Sequence, residues 1–219
     1  MELFLSRIKP HPSPQASLEQ YTVSEAIAAK VLYLAAYSNG DIIGKTVSDL
    51  GCGTGRFALT AAYLGAKSVV GVDIDKVAIN IASENSKRAA LKANVQWVVG
   101  DVNVITGSFD TVLQNPPFGV QKLTADRKFL KKALEIGKVV YSIHHHPRMD
   151  NQLMKRLKSN HGSLLQVGPS PFIEKFIEKH HGVIKAVYAM LMTIPRMFDF
   201  HTKMRHNFIV DLYVIKKSG

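Results

Sequence analysis

Apolar residues fall along this chain in two rhythms. Short runs rich in β-branched residues, such as Ser68-Val69-Val70-Gly71-Val72 and Phe109-Asp110-Thr111-Val112-Leu113, alternate with longer stretches in which apolar positions recur every three to four residues. The short runs 46–50, 68–73, 95–99, 109–114 and 138–143 predict strands. The stretches 56–64, 76–90 and 127–136 predict the helices between them, with Asp75 and Asp126 placed to cap the second and third. Strand and helix in alternation predict a parallel α/β sheet. Upstream, 1–17 reads as an extended, Pro-rich lead and 17–37 as a helix. Downstream, 150–158 and 171–179 read as helices and 182–194 and 207–215 as two final strands, the last alternating as FIVDLYVI. Nothing repeats at a solenoid period and no linker divides the chain, so residues 1–219 read as one domain.

Composition narrows the class. No apolar run is long enough to cross a bilayer, and the N-terminus lacks a signal-peptide core, so a soluble start is expected. The single cysteine, Cys52, excludes an internal disulfide framework and a CxxC metal site and fits a reducing, cytoplasmic setting. The formal charge of +11 is unevenly spread: residues 151–219 hold 11 Lys/Arg against 4 Asp/Glu. A basic C-terminal third points to a polyanion partner.

The first candidate for chemistry is Asp49-Leu50-Gly51-Cys52-Gly53-Thr54-Gly55, which follows a predicted strand and opens a predicted helix. Glycines permit a tight turn and let backbone N–H groups approach a ligand closely. Arg56 stands where the dinucleotide fingerprint wants glycine, so a pyrophosphate is not the expected ligand. The run resembles the first motif of class I S-adenosylmethionine-dependent methyltransferases. An acid before the loop, here Asp49, suits the ammonium of that cofactor. Asp73, closing the second strand, can take a ribose diol in two charge-assisted hydrogen bonds. Asp75 competes for that role but fits better as a helix cap. Asp101, beside Val102 at the end of the third strand, can receive an adenine amino group. Three acids at three successive strand ends are stronger evidence than any one of them.

The fourth strand stops at Asn115-Pro116-Pro117-Phe118. Proline ends regular structure, so the stop is built in. These residues resemble the motif of methyltransferases acting on planar amino nitrogens. Such a nitrogen has a delocalised lone pair and is a poor nucleophile. Acceptors aimed at its N–H groups favour the tetrahedral state in which it attacks. Asn115 brings a side-chain carbonyl. Pro116 brings a backbone carbonyl, held extended by Pro117. Phe118 brings a ring on which a planar substrate can stack.

LEQY (18–21), DLGCGTG, GVDID, GDV, NPPFG, YSIH, FDFH and VDLYVI together resemble the archaeal and eukaryotic small-subunit ribosomal RNA adenine-N6 methyltransferases. The resemblance implies a class I fold, a Rossmann-like seven-stranded mixed sheet with helices on both faces. It implies that Gln20, Tyr21 and the residues just after cover the cofactor; Val23 stands where the family commonly has threonine, with Thr22 and Ser24 beside it. It further implies a small zinc-binding activator protein as partner, and the run Val95-Gln96-Trp97-Val98-Val99, expected at a sheet edge, is where such a chain could add a strand. Between YSIH and the helix 171–179 the chain carries an apparent insertion, residues 145–168, with Arg148, Lys155, Arg156 and Lys158. These, and Phe200, His201, Lys203 and Arg205 in the basic, aromatic stretch between the last two strands, are candidate RNA contacts.

His144-His145-His146 invites a metal reading, but adjacent residues of a strand cannot converge on one ion, so no metal is expected. Cys52 lies in the cofactor loop and reads as a small residue, not a nucleophile. The leading function is an RNA adenine-N6 methyltransferase. Glutamine or DNA-adenine methylation stays open, as does a non-catalytic RNA-binding or assembly protein on the same fold.

Overall fold

The structure, a computed structural model, describes residues 1–21, 23–91, 94–118, 125–148, 150–160, 163–195 and 205–218. Among the described residues, eight strands form one sheet in the order β3-β2-β1-β4-β5-β8-β7-β6. They are β1 (Thr46–Leu50), β2 (Ser68–Asp73), β3 (Asn94–Val99), β4 (Phe109–Gln114), β5 (Gly137–His145), β6 (Leu165–Gln166), β7 (Gly182–Pro195) and β8 (Arg205–Lys217). The first five run parallel, and β8 inserts antiparallel between β5 and β7. The helices are α1 (Glu2–Leu5), α2 (Glu25–Tyr33), α3 (Arg56–Tyr63), α4 (Lys76–Ala89), α5 (Ala125–Ile136), α6 (Asn151–Ser159) and α7 (Pro171–Lys179).

Alternation along the strands divides the core. Val47, Val69, Leu113, Tyr141 and Leu212 face α1, α2 and α3, while Val72, Val112, Val140 and Tyr213 face α5 and α7. The chain builds outward from β1 to β2 to β3, then returns to place β4 on the other side of β1. That reversal is a topological switch point, and ligands bind outside the carboxyl ends of the strands there.

The predicted strands and most helices stand within a few residues of their expected bounds. Asp75 caps α4 as expected, its Oδ1 accepting the Val77 N–H at 2.8 Å. Five expectations need correction. Residues 1–17 are not wholly extended: α1 forms and Leu5 is fully buried. Residues 17–37 are not one helix. A 3-10 turn (Ala16–Leu18) leads to Glu19 in the left-handed region (φ 50°), and α2 starts only at Glu25 with Ser24 as cap. A left-handed residue cannot continue a helix, and the apolar side chains of Leu18, Tyr21 and Val23 serve a cleft wall instead. Asp126 is not a cap, because α5 already starts at Ala125.

The sheet has eight strands, not seven. The expected insertion supplies α6, capped by Asp150, and the two-residue β6, which pairs with β7 at Tyr188 and Ala189. Leu153 and Leu157 of α6 bury against Ala189 and Ile209. Finally, β3 is indeed an edge strand, but Trp97 is not its exposed feature. Its indole packs inward: a Cβ on Gly71 would lie 2.5 Å from the ring and one on Gly55 2.6 Å. Among the described residues no helix is long and apolar enough to cross a membrane.

Candidate functional site

At the switch point the loops after β1, β2, β3 and β4 and the segment 11–23 enclose a cleft of about 420 Å³, within the usual range of about 300–1,000 Å³ for small-molecule sites. Gln20, Tyr21, Asp49, Gly51, Gly53, Thr54, Asp73, Asp101, Val102, Asn115 and Pro117 all line it. Residues more than sixty positions apart in sequence thus meet in one place. Gly55, Pro116 and Phe118 are not among its lining residues. Thr22, Phe200, His201 and Lys203 lie outside the described residues.

The glycine loop works by shape. Gly51 adopts φ 71°, and a Cβ there would meet the Phe129 ring at 2.9 Å, so its glycine lets α5 lay that ring over the loop. Asp49 lies below, 1% exposed, its Oδ2 accepting the Ala58 N–H at 2.9 Å. Burial pushes its carboxyl up to about 7, and nearby Asp73 adds to the rise. Asp73 accepts Gly53 N–H at 2.8 Å on Oδ2 and Asp75 N–H at 2.9 Å on Oδ1, so it ties the first loop to the second; burial raises its pKa as well. Each of its oxygens keeps a second lone-pair direction for a diol. Asp101 is ion-paired with Lys128 of α5, which holds its carboxyl below the ordinary range. Cys52 is buried and its thiol is pushed up by that burial, so it is held as an inert thiol.

Two further residues complete the enclosure. Arg56, the departure from the dinucleotide fingerprint, is 9% exposed; its Nη1 donates to the Val23 carbonyl and to Glu25, both at 2.9 Å, and clamps the segment after Tyr21 onto the loop. His11 and Gln20 share Asp75 Oδ2, at 3.0 and 2.7 Å. The His11 Nδ1 accepts the Ser13 N–H at 3.1 Å, so the neutral ring carries its hydrogen on Nε2 and donates to Asp75. This clasp fastens the N-terminal segment across the cleft. Its place where the dinucleotide fingerprint wants glycine marked Arg56 in the sequence; nothing there marked His11, whose partner is 64 residues away.

At the far end stands Asn115. Its Nδ2 donates to the Tyr21 carbonyl at 3.3 Å. A carbonyl can only accept, so this bond fixes which end of the amide faces Tyr21 and leaves Oδ1 aimed elsewhere. That oxygen is buried and has no hydrogen-bond partner among the described residues. An unpaired buried acceptor costs about 1–3 kcal/mol, which is why one in a cleft wall marks a place for a donor. Beneath it, Gln114 Nε2 donates to Ser142 Oγ at 2.8 Å, and Ser142 meets His144 Nε2 at 2.7 Å. Burial drops the His144 pKa to about 4, so the ring is neutral. The chain locks the ends of β4 and β5 together under Asn115.

The three adjacent histidines separate as expected of a strand end. His144 points inward, His145 outward onto Phe208, and His146 pairs with Asp211 at 2.8 Å. Arg148, Lys155, Arg156 and Lys158 are exposed, three of them on α6. Arg205 opens β8.

The sequence model of the methyltransferase small domain matches residues 27–159. An uncharacterised Methanocaldococcus jannaschii protein is 36% identical over all of this chain and 94% of its own. The zebrafish rRNA N(6)-adenosine-methyltransferase METTL5 is 39% identical over 66% of this chain and 72% of its own. A solved Pyrococcus horikoshii structure, assigned as an RNA methyltransferase, superimposes with a TM-score of 0.81 at 38% identity, covering 100% of this chain and 96% of that one.

Proposed function

Since the chain belongs to the methyltransferase small domain family, we propose that it methylates the N6 amino group of an adenine in RNA, and specifically in small-subunit ribosomal RNA. The observation that carries this is the buried, unpartnered Asn115 Oδ1 at the end of the cleft. S-adenosylmethionine, when bound, supplies an electrophilic methyl group. The cleft residues fit it: Asp49 for the ammonium, Asp73 for the ribose diol, Asp101 and Val102 for the adenine, with Gln20 and Tyr21 from the segment above. At the substrate end, Asn115 Oδ1 and the Pro116 carbonyl accept the two amino hydrogens. This draws the nitrogen lone pair out of conjugation and turns it toward the methyl group. Acceptance of those hydrogens also stabilises the positive charge that develops on nitrogen, so no strong base is required before transfer.

RNA is favoured over a protein loop by the basic charge of residues 151–219 and the exposed cations of α6, and the names of the zebrafish and Pyrococcus relatives agree. A base must leave its stack to reach Asn115, and cations beside the cleft hold the flanking backbone meanwhile. We extend the proposal to a partner, a small zinc-binding activator that adds a strand along β3.

The test is methyl transfer from labelled cofactor to ribosomal RNA, DNA and protein in parallel, followed by nucleoside and amino-acid analysis. N6-methyladenosine from RNA is the expected product. Label in N5-methylglutamine or in DNA alone would overturn the assignment.

A further inference from the structure

Beyond Asn115 three aromatic side chains gather where β4, β5 and β8 meet. Phe118 lies edge-on to His145, centroids 6.0 Å apart at 74°, and edge-on to Phe208 at 5.8 Å and 83°. His145 and Phe208 lie nearly parallel, 5.5 Å apart at 9°. Phe118 and Phe208 are partly buried against the core, whereas His145 is exposed.

Strand alternation places the cluster. Leu113, Ile143 and Val210 face the α2 side of the sheet, so Asn115, His145 and Phe208, each two positions away, share that side. Phe118, three positions after the acceptor Asn115, meets both members of the His145–Phe208 stack. The imidazole is oriented as well as supported: its Nδ1 lies 2.8 Å from the His146 carbonyl, to which it donates. An exposed ring held by a stacked partner and a hydrogen bond has already lost its rotamer freedom, so a ligand stacking on it pays little further entropy. Core packing accounts for Phe118 and Phe208. It does not account for fixing a polar aromatic ring at the surface, on the strand beside the one that leads into Asn115.

We propose that His145, backed by Phe208, is a stacking platform for the nucleobase adjacent to the target adenine. Extruding one base exposes the face of its neighbour, and a flat π-surface beside the extrusion site replaces the lost stacking without reading sequence. Arg148, exposed three positions further along the chain, supplies a cation for the flanking backbone, and the platform takes a single-stranded nucleotide. This inference rests on the RNA reading of the site.

The probe is a short single-stranded RNA with one adenosine and 2-aminopurine as its 3′ or 5′ neighbour, titrated into the full chain with S-adenosylhomocysteine bound. Stacking on His145 quenches the 2-aminopurine in one of the two placements. His145→Ala should lose that quench and weaken RNA binding about tenfold, within the range for one base–aromatic stack, with cofactor affinity and melting temperature unchanged. His145→Phe and His145→Trp should restore quench and affinity, which a merely structural histidine would not predict. If His145→Ala binds with wild-type quench and affinity, the platform is wrong while the RNA reading stands. If the wild-type protein neither binds nor methylates RNA but does methylate DNA or protein, the reading itself falls and the platform with it.

Discussion

Asp49 lies beneath the cleft with a carboxyl raised to about 7 by burial, and the proposed ammonium contact then gives cofactor binding a pH dependence. The sign follows from which form each state prefers. A raised carboxyl favours the protonated native state, so its contribution to stability is present below the ordinary value of 3.8 and lost as pH rises through about 7. A cofactor ammonium needs the opposite, ionised form. S-adenosylmethionine affinity should therefore rise between pH 5 and 7, by up to about tenfold per unit, and level off above. Calorimetry across that range should show the rise in wild type and a flat profile in Asp49→Asn; a flat wild-type profile would remove Asp49 from the site. Asp73 is a harder residue to test, because it also holds the Gly53 and Asp75 N–H groups. Asp73→Asn keeps the shape and loses the charge, and should weaken the cofactor by about 1.5–3 kcal/mol; unchanged affinity would leave Asp73 a loop tie only. At this scale the sequence was informative wherever chemistry clusters locally: the acid before the glycine loop, the acids closing β2 and β3, and Asn115 before two prolines. It was silent about His11, Lys128 and Phe129, which reach the cleft from elements that no spacing connects to it.

At the scale of elements, β3 combines two jobs that the sequence alone merged. Trp97 looked like the hydrophobic feature of an open edge; in three dimensions it fills the space left by Gly55 and Gly71 and supports the cofactor loop. Gly71→Ala would place a methyl against the indole, and overpacking of this kind costs about 1–3 kcal/mol. Thermal unfolding should show a lowered Tm, and an unchanged Tm would mean that Trp97 is not tightly held. The partner test belongs instead at Val99, which is 49% exposed on the same strand. Val99→Asp should abolish co-purification of a strand-adding activator while the isolated protein keeps its fold; a variant that still recruits the partner would move the docking site off β3. Strands β1 to β5 were legible in the sequence because each is a short apolar run flanked by turn residues. The strand β6 was not, since two residues carry no alternation. Nor was the irregular stretch around Glu19, where the wall of the cleft outweighs the helical preference of LEQY.

Across the whole molecule, the apparent insertion is a continuation of the sheet and not a free loop. Neighbouring strands are about 4.8 Å apart, so β7, on which α6 packs, lies roughly 14 Å from β4. Lys155, Arg156 and Lys158 stand exposed on that helix, and the RNA reading makes them contacts for the chain flanking the target base. Neutralising these with Arg148 should weaken RNA binding and reduce the slope of log K against log salt by about two to four, with cofactor affinity unchanged. An identical slope would show that these cations face water alone.

The central claim is that Asn115 Oδ1 is left unpaired in order to accept an amino hydrogen of the target base. It is tested most directly by the single-turnover rate of N6-methyladenosine formation in ribosomal RNA, measured for wild type and Asn115→Ala with cofactor affinity determined alongside. Loss of an acceptor that acts mainly in the transition state should lower the rate about 10²-fold or more while the cofactor binds as before. An Asn115→Ala protein that methylates at the wild-type rate would contradict it.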